Sequence, residues 1–224
     1  MSQKTLLITG ASSGIGAATA RLAADAGWRV ALTARSTDKL NALVDEIGRE
    51  RALALKCDVA QESQVAETFA KATDFGRLEA VFANAGLGAT AVGAEGGDTA
   101  NWREMIDTNI WGLCLTVKYA LPELKKAKGH MLLTGSRAGR VILKGSVYGA
   151  TKWFVHGFGQ NLGQEMSEWG GRCTVIAPGM VDTPFFDSPK PQALTADDVA
   201  RAAMFALEQP ASVHVGEVFL TPIQ

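Results

Sequence analysis

Cysteine is scarce in this 224-residue sequence: there are 3, at Cys57, Cys114 and Cys173. They are widely separated, none forms a CxxC pair, and none stands beside paired histidines. That excludes a disulfide scaffold and a cysteine–histidine zinc site. Each lies in an apolar segment, so buried, reduced thiols in a reducing compartment are expected. The 3 histidines, His130, His156 and His214, are scattered without ligand spacing. They read as strand-edge or helix-surface residues, and no metal site is expected. Neither sign of charge dominates: 22 Lys+Arg against 23 Asp+Glu leave a formal net charge of −1. A general attraction to nucleic acid or to an anionic membrane is thereby removed. The one basic run, Lys125-Lys126-Ala127-Lys128, suits the solvated end of a helix, where cations complement the dipole. No apolar run approaches the roughly 20 residues needed to cross a bilayer, and no charged-then-apolar leader precedes the first strand. A cytoplasmic location follows as an expectation. Internal repeats, low-complexity tracts and linkers are also missing, so residues 1–224 read as one domain.

What is present is alternation. Short apolar runs at Thr5–Thr9, Arg29–Thr33, Ala52–Cys57, Ala80–Ala83, His130–Thr134, Cys173–Ala177 and Val215–Leu220 read as strands. Helical spacing lies between them, marked by Ile15, Thr19, Leu22 and Ala26, then Leu40, Leu43, Val44 and Ile47, then Val65, Phe69 and Ala72. A long fourth helical segment runs from about Asp98 to Lys126 and a fifth from about Ser146 to Trp169. The last begins at Thr195-Ala196-Asp197-Asp198, a capping-box pattern. Apolar strands alternating with helices predict an α/β, doubly wound (Rossmann-like) three-layer sandwich with a seven-stranded parallel sheet. Ligands in such sheets bind at the carboxyl ends of the strands. The Gly/Ala-rich stretch Leu87–Asp98 reads as a surface loop. Pro184–Leu194 holds three of the 7 prolines and two adjacent phenylalanines, and reads as a non-helical flap over the site.

The literal G-x-G-x-x-G fingerprint is absent. In its place Thr9-Gly10-Ala11-Ser12-Ser13-Gly14-Ile15-Gly16 follows the first strand and opens the first helix. Glycines there let the backbone approach a phosphate, and the helix aims free N–H groups and its positive end at the same spot. A carboxylate is likewise absent from the end of the second strand, Leu32-Thr33-Ala34-Arg35-Ser36. NAD enzymes commonly hold the ribose 2′-hydroxyl with an acid about 20 residues after the turn. Arg35 and Ser36 suit a 2′-phosphate instead, so NADP is favoured over NAD. Asp58, followed by Val59, either accepts from the adenine amino group or caps the next helix.

Tyr148 and Lys152 stand one helical turn apart, on the same face. A free tyrosine ionises near pH 10, and a neighbouring cation lowers that value. Ser136, at the end of the fifth strand, and Asn109 add polar groups. The matches in chain order are the Thr9–Gly16 turn, Asp58, Asn84-Ala85-Gly86, Asn109, Ser136, Tyr148 with Lys152, and Pro178-Gly179 followed by Thr183. On these motifs the chain resembles the short-chain dehydrogenase/reductase family in its single-domain form, over nearly its whole length.

The resemblance implies an oxidoreductase in which hydride passes between nicotinamide and an alcohol or carbonyl carbon. It makes Tyr148 the general acid/base, Ser136 the donor to the substrate oxygen, and Lys152 the group that lowers the Tyr148 pKa and holds the nicotinamide ribose. Asn109 fixes a water that links Lys152 to solvent. The implied cofactor contacts are Gly10, Ser12, Ser13, Gly14, Ile15 and Gly16 at the turn, Arg35 and Ser36, Asp58 and Val59, and Asn84, Ala85 and Gly86. Tyr148, Lys152, Pro178, Gly179, Val181 and Thr183 complete them at the nicotinamide end. The Ser136–Tyr148 connection is about one residue shorter than the common family spacing, and the segment after Pro178-Gly179 is abbreviated. A short flap suggests an open substrate cleft. Arg137 is a candidate for a substrate carboxylate, and Met180, Phe185 and Phe186 either line an apolar pocket or anchor the flap. Trp111, Trp153, Phe154 and Phe158 either pack on the sheet or form a subunit interface, the latter implying a homodimer or homotetramer. A catalytically silent NADP(H)-binding regulator on the same fold and an enzyme for a small 3-hydroxy acid such as serine are the alternatives.

Overall fold

A computed structural model describes residues 4–223; residues 1–3 and 224 of the expected domain lie outside it. Seven strands form one all-parallel sheet in the order β3-β2-β1-β4-β5-β6-β9: β1 Lys4–Thr9, β2 Arg29–Ala34, β3 Ala52–Lys56, β4 Arg77–Ala83, β5 His130–Thr134, β6 Arg172–Pro178 and β9 Glu217–Leu220. The order reverses direction between β1 and β4, which opens a crevice at their carboxyl ends.

Side chains on a strand alternate between faces, and β1 shows the consequence. Leu6, Leu7 and Ile8 are each fully buried. Leu6 and Ile8 join one apolar cluster with helices α1 (Gly14–Asp25), α2 (Thr37–Ile47) and α7 (Ala196–Glu208). Leu7 joins the other, with α3 (Glu62–Phe75), α5 (Leu113–Ala127) and α6 (Val147–Ser167). The two clusters are the two faces of a three-layer sandwich, as expected. Alanines at 17, 20, 23 and 24 on α1 face Ala202, Ala203 and Ala206 on α7, and these small side chains let the two helices lie close. The expected capping box holds α7: Asp198 N donates to Thr195 Oγ1 at 3.2 Å and Thr195 N donates to Asp198 Oδ2 at 2.8 Å.

Several expectations need correction. The fourth helical segment is not continuous. It splits into α4 (Thr99–Ile106), a π-helical segment over Asp107–Gly112, and α5. A π turn inserts a residue into the helical register, and here it carries Asn109 inward, to 3% exposure. Two short parallel strands, β7 (Val181–Asp182) and β8 (Leu194–Thr195), close the base of the Pro184–Leu194 flap. Cys57 and Cys173 are buried, but Cys114 is only half-buried. Among the described residues no helix is long and apolar enough to cross a membrane, and no cluster of metal-ligating side chains occurs.

The histidines are the clearest departure. His130 and His156 are buried, at 2% and 6% exposure, rather than at an edge or surface. His130 lies between β5 and β6 with Nε2 2.7 Å from Thr174 Oγ1, and its Nδ1 has no partner among the described residues. Burial pushes its pKa down to about 3, so the folded protein holds it neutral. The unfolded chain, titrating near 6.5, binds the extra proton first as pH falls. The stability His130 confers is therefore intact above pH 6.5 and is lost progressively towards pH 3. Between pH 7 and 5 the loss should reach about 2 kcal/mol in urea denaturation, and His130→Gln should flatten that slope. Equal slopes in the two proteins would remove His130 as the cause.

Candidate functional site

At the carboxyl end of β1 the chain turns through Gly10 and Gly14, with φ of +66° and +53°, a region that L side chains rarely adopt. α1 then begins after Ser13, whose side chain makes no cap, so the first amides of the helix stay free. Gly16 does not reach the cleft. A Cβ there would sit 2.4 Å from the Gly10 carbonyl, so its role is packing within the turn.

Asn84 ties three strand ends together. Its Nδ2 donates to the carbonyls of Thr9 (3.0 Å) and Gly10 (3.2 Å), and its Oδ1 accepts from Thr134 Oγ1 at 3.1 Å. Thr9 Oγ1 in turn accepts from the amides of Asn84 and Ala85, each at 3.0 Å. The Asn84 side chain is thus committed to the scaffold, while Ala85 and Gly86 line the cleft beside it.

The cleft runs along these strand ends and has a volume of about 440 Å³. Of the expected cofactor residues, all but Gly16 line it. At one end are Arg35 and Ser36. Arg35 is exposed and makes no hydrogen bond or ion pair among the described residues. Asp58 accepts from Ala60 N at 3.0 Å in the turn before α3, whose N-cap is Gln61, so it does not cap that helix; it borders the same end of the cleft. At the other end are Ser136, Tyr148 and Lys152, with Pro178, Gly179, Val181 and Thr183 beyond. Leu87, Thr108, Thr134, Pro184, Phe185 and Phe186 also line the cleft. Pro184 and the two phenylalanines carried a signal in the sequence, through the flap; the others arrive by backbone position.

Lys152 is buried, and its Nζ donates to the Thr134 carbonyl at 2.8 Å. Burial without a carboxylate partner pushes its pKa down to about 8. Nζ lies 5.8 Å from the Tyr148 ring centroid. Burial raises the Tyr148 phenol above its ordinary value, and the Ser136 side chain acts in the opposite direction. The Asn109 side chain stands just outside the cleft. Its Oδ1 accepts from Leu87 N at 3.0 Å, and its Nδ2 donates to Leu87 O at 3.0 Å and to Thr151 Oγ1 at 3.1 Å. That side chain is fully used in joining the π-helical segment to α6 and to the loop after β4.

Ser136 is braced from behind. His156 Nε2 lies 3.0 Å from the Ser136 carbonyl, and His156 Nδ1 lies 3.6 Å from Glu217, which Arg140 grips with two nitrogens. A Cβ at Gly139 would meet the imidazole at 2.5 Å, so the glycine makes the space that buries it.

A turn of free helix amides, a tyrosine one helical turn from a buried lysine, and a serine beside them are now on one cleft. The short chain dehydrogenase family profile matches residues 4–193. The chain belongs to the short-chain dehydrogenase/reductase family. An oxidoreductase from Staphylococcus saprophyticus is 36% identical over 232 residues, covering 100% of this chain and 99% of that one. An alcohol dehydrogenase from the archaeon Thermococcus sibiricus, solved with 5-hydroxy-NADP, superposes with a TM-score of 0.91 at 34% identity, covering 99% of this chain and 97% of that one. Serine dehydrogenase from Escherichia coli superposes at 0.89 with 31% identity, covering 97% of each chain. As a member of this family the chain is an oxidoreductase acting on CH–OH groups, and the family binds a nicotinamide cofactor.

The dehydrogenase scaffold makes one structural outcome specific. Asn84→Ala removes the bridge among β1, β4 and β5 and leaves buried carbonyls without donors. A stability loss of about 2–3 kcal/mol in urea denaturation is expected. A loss below 0.5 kcal/mol would show that the bridge is dispensable.

Proposed function

We propose that the protein is an NADP(H)-dependent oxidoreductase that transfers hydride between nicotinamide and an alcohol/carbonyl substrate, with Tyr148 as general acid/base. The observation that carries this reading is the single cleft with Ser136, Tyr148 and Lys152 at one end and an unpaired Arg35 at the other. A dinucleotide suits that cleft: a left-handed glycine turn at Gly10 and Gly14 along its wall, uncapped amides at the start of α1, and a free guanidinium beyond them. The cofactor, when bound, supplies the hydride chemistry. The chain's own residues do the rest. The turn from Ser12 to Ile15 holds the pyrophosphate, and Arg35 with Ser36 grips the 2′-phosphate. Asp58 and Val59 with Ala85 and Gly86 border the adenosine, and Pro178, Gly179, Val181 and Thr183 flank the nicotinamide.

Ser136 donates to the substrate oxygen and stabilises its developing charge. Tyr148 gives that oxygen a proton in reduction and removes one in oxidation. Its burial alone raises the phenol's pKa, so the Lys152 charge is needed to bring it back. Lys152 also holds the nicotinamide ribose. Trp111 on the π-helical segment and Trp153 on α6, exposed at 48% and 52%, support a homodimer or homotetramer through that face. The free cysteines fit a reducing, cytoplasmic setting. A silent NADP(H)-binding regulator would keep the same cleft without turnover.

NADPH oxidation with a panel of aldehydes and ketones tests the reaction. Tyr148→Phe should lower kcat at least about 100-fold while NADPH still binds. No difference between wild type and variant would favour the silent regulator. Arg35→Asp should weaken NADPH at least about tenfold, measured by fluorescence titration, and leave NADH almost unchanged. An unaltered preference would sink the 2′-phosphate assignment. The kcat/KM for NADPH reports the free enzyme. With the Lys152 pKa at about 8, the ammonium is charged below that pH and neutral above it, so kcat/KM should fall as pH rises through about 8. A flat profile to pH 9.5 would contradict the role of its charge.

A further inference from the structure

The substrate end of the cleft has a chemistry of its own. Beside Ser136 and Tyr148 it is walled by Leu87, Pro184, Phe185 and Phe186. Phe185 lies against Tyr148, with ring centroids 5.7 Å apart, and meets Phe186 edge-on at 5.2 Å. Gly88 makes the seat for this ring, since a Cβ there would come within 2.7 Å of Phe185 Cζ. The aromatic wall is therefore built into the loop after β4 as well as into the flap.

Charge is distributed differently. Among the described residues only two cations line the cleft, Arg35 and Lys152. Arg35 stands at the far end. Lys152 is buried and bonded to the Thr134 carbonyl. Arg137, adjacent to Ser136 in sequence, is exposed and does not line the cleft. Lys190 on the flap bonds Ser188 Oγ at 3.0 Å and does not line it either. Around the site the loops leaving β4 and β5 touch, with the Gly145 backbone against Gly93 and Ala94. They carry the exposed apolar side chains Val92, Ile142 and Leu143.

We propose that the enzyme's substrates are uncharged carbonyl compounds with an apolar substituent beside the reacting carbon, together with their alcohols, and that Phe185 is the residue that selects them. This rests on the hydride-transfer reading above. A carboxylate near the reacting carbon would exchange part of its hydration for a wall of Leu, Pro and Phe whose nearest cation, Lys152, is already bonded to the Thr134 carbonyl, and such burial is unfavourable. A hydrocarbon or ester group placed there gains from leaving water. Serine and other small 3-hydroxy acids are disfavoured on the same ground, despite the likeness to serine dehydrogenase. In reduction the carbonyl π bond breaks, the carbon takes the hydride that NADPH supplies, and the oxygen takes the Tyr148 proton, which solvent replaces. One carbonyl, one NADPH and one H⁺ give one alcohol and one NADP⁺.

A matched pair isolates the charge: ethyl acetoacetate against acetoacetate, with purified full-length protein, NADPH and Tyr148→Phe as control. The ester should have a kcat/KM at least about 100-fold above the acid. Phe185→Ala should lower kcat/KM for the ester about tenfold, mainly through KM, and narrow the ester-to-acid ratio. Phe185→Leu should retain most of the preference, and NADPH titration checks that both variants stay folded. Equal rates on ester and acid, a faster acid, or oxidation of serine with NADP⁺ above that of ethyl 3-hydroxybutyrate would overturn this assignment and leave hydride transfer standing. An unchanged ratio in Phe185→Ala would remove Phe185 as the selector. No turnover of either compound above the Tyr148→Phe control, while other carbonyls of the panel react, would overturn the assignment alone; no turnover across the whole panel would overturn hydride transfer itself.

Discussion

The cleft depends on how the carboxyl ends of β1, β4 and β5 are tied to one another. Parallel strands end with carbonyls and amides that the sheet no longer pairs, and those groups need partners. Asn84 supplies them from the middle of the arrangement. It holds the Thr9 and Gly10 carbonyls on one side and accepts from the Thr134 hydroxyl on the other. The Thr134 carbonyl then accepts from Lys152. The glycine turn after β1 and the buried ammonium are therefore two ends of one hydrogen-bonded chain. The shape of the turn and the electrostatics around Tyr148 rest on the same few bonds.

A second set of constraints works through α6 and the π-helical segment. The inward turn of Asn109 locks the loop after β4 onto α6, the helix that carries Tyr148 and Lys152. From the opposite side His156, on the same helix, holds the Ser136 peptide and is itself backed by Glu217 and Arg140. Ser136 and Tyr148 come from different elements, yet each is fixed relative to α6. Rigid support of this kind keeps reacting groups within reach of one another without the substrate having to order them. The flap contributes differently. It brings Phe185 to Tyr148 on a segment whose only regular pairing is two residues at its base.

Much of this was legible in the residues themselves. Strands of a doubly covered parallel sheet read as short apolar runs, and all seven are present, with β4 and β6 extending beyond the expected limits because their end residues still pair. Thr195 and Asp198 announced α7 through a cap that is local in sequence. The expected cofactor residues fall together because most sit at the end of a strand or in the turn after it, while Tyr148 and Lys152 come from α6. What could not be read depends on distant partners. The π turn leaves no mark in hydrophobic spacing; the contacts made along it, Gly112 against Val59 and Asn109 with Leu87, join residues distant in sequence. The burial of His130 and His156 depends on Thr174 across the sheet and on the space left at Gly139. Gly16 belongs to the turn motif, but its neighbours show it packing the turn rather than facing the cleft. The position of Phe185 required Gly88, far from it in sequence.

If the cleft brings the reactive carbon of a nicotinamide cofactor beside a carbonyl whose oxygen is held by Ser136 and Tyr148, hydride passes directly from that carbon to the carbonyl carbon. Stopped-flow single turnover with NADPH deuterated at both C4 positions, followed by mass spectrometry of the alcohol formed, measures that transfer. One deuterium on the former carbonyl carbon and a slower burst than with unlabelled NADPH are expected. Unlabelled product would show that the hydride does not come from the nicotinamide.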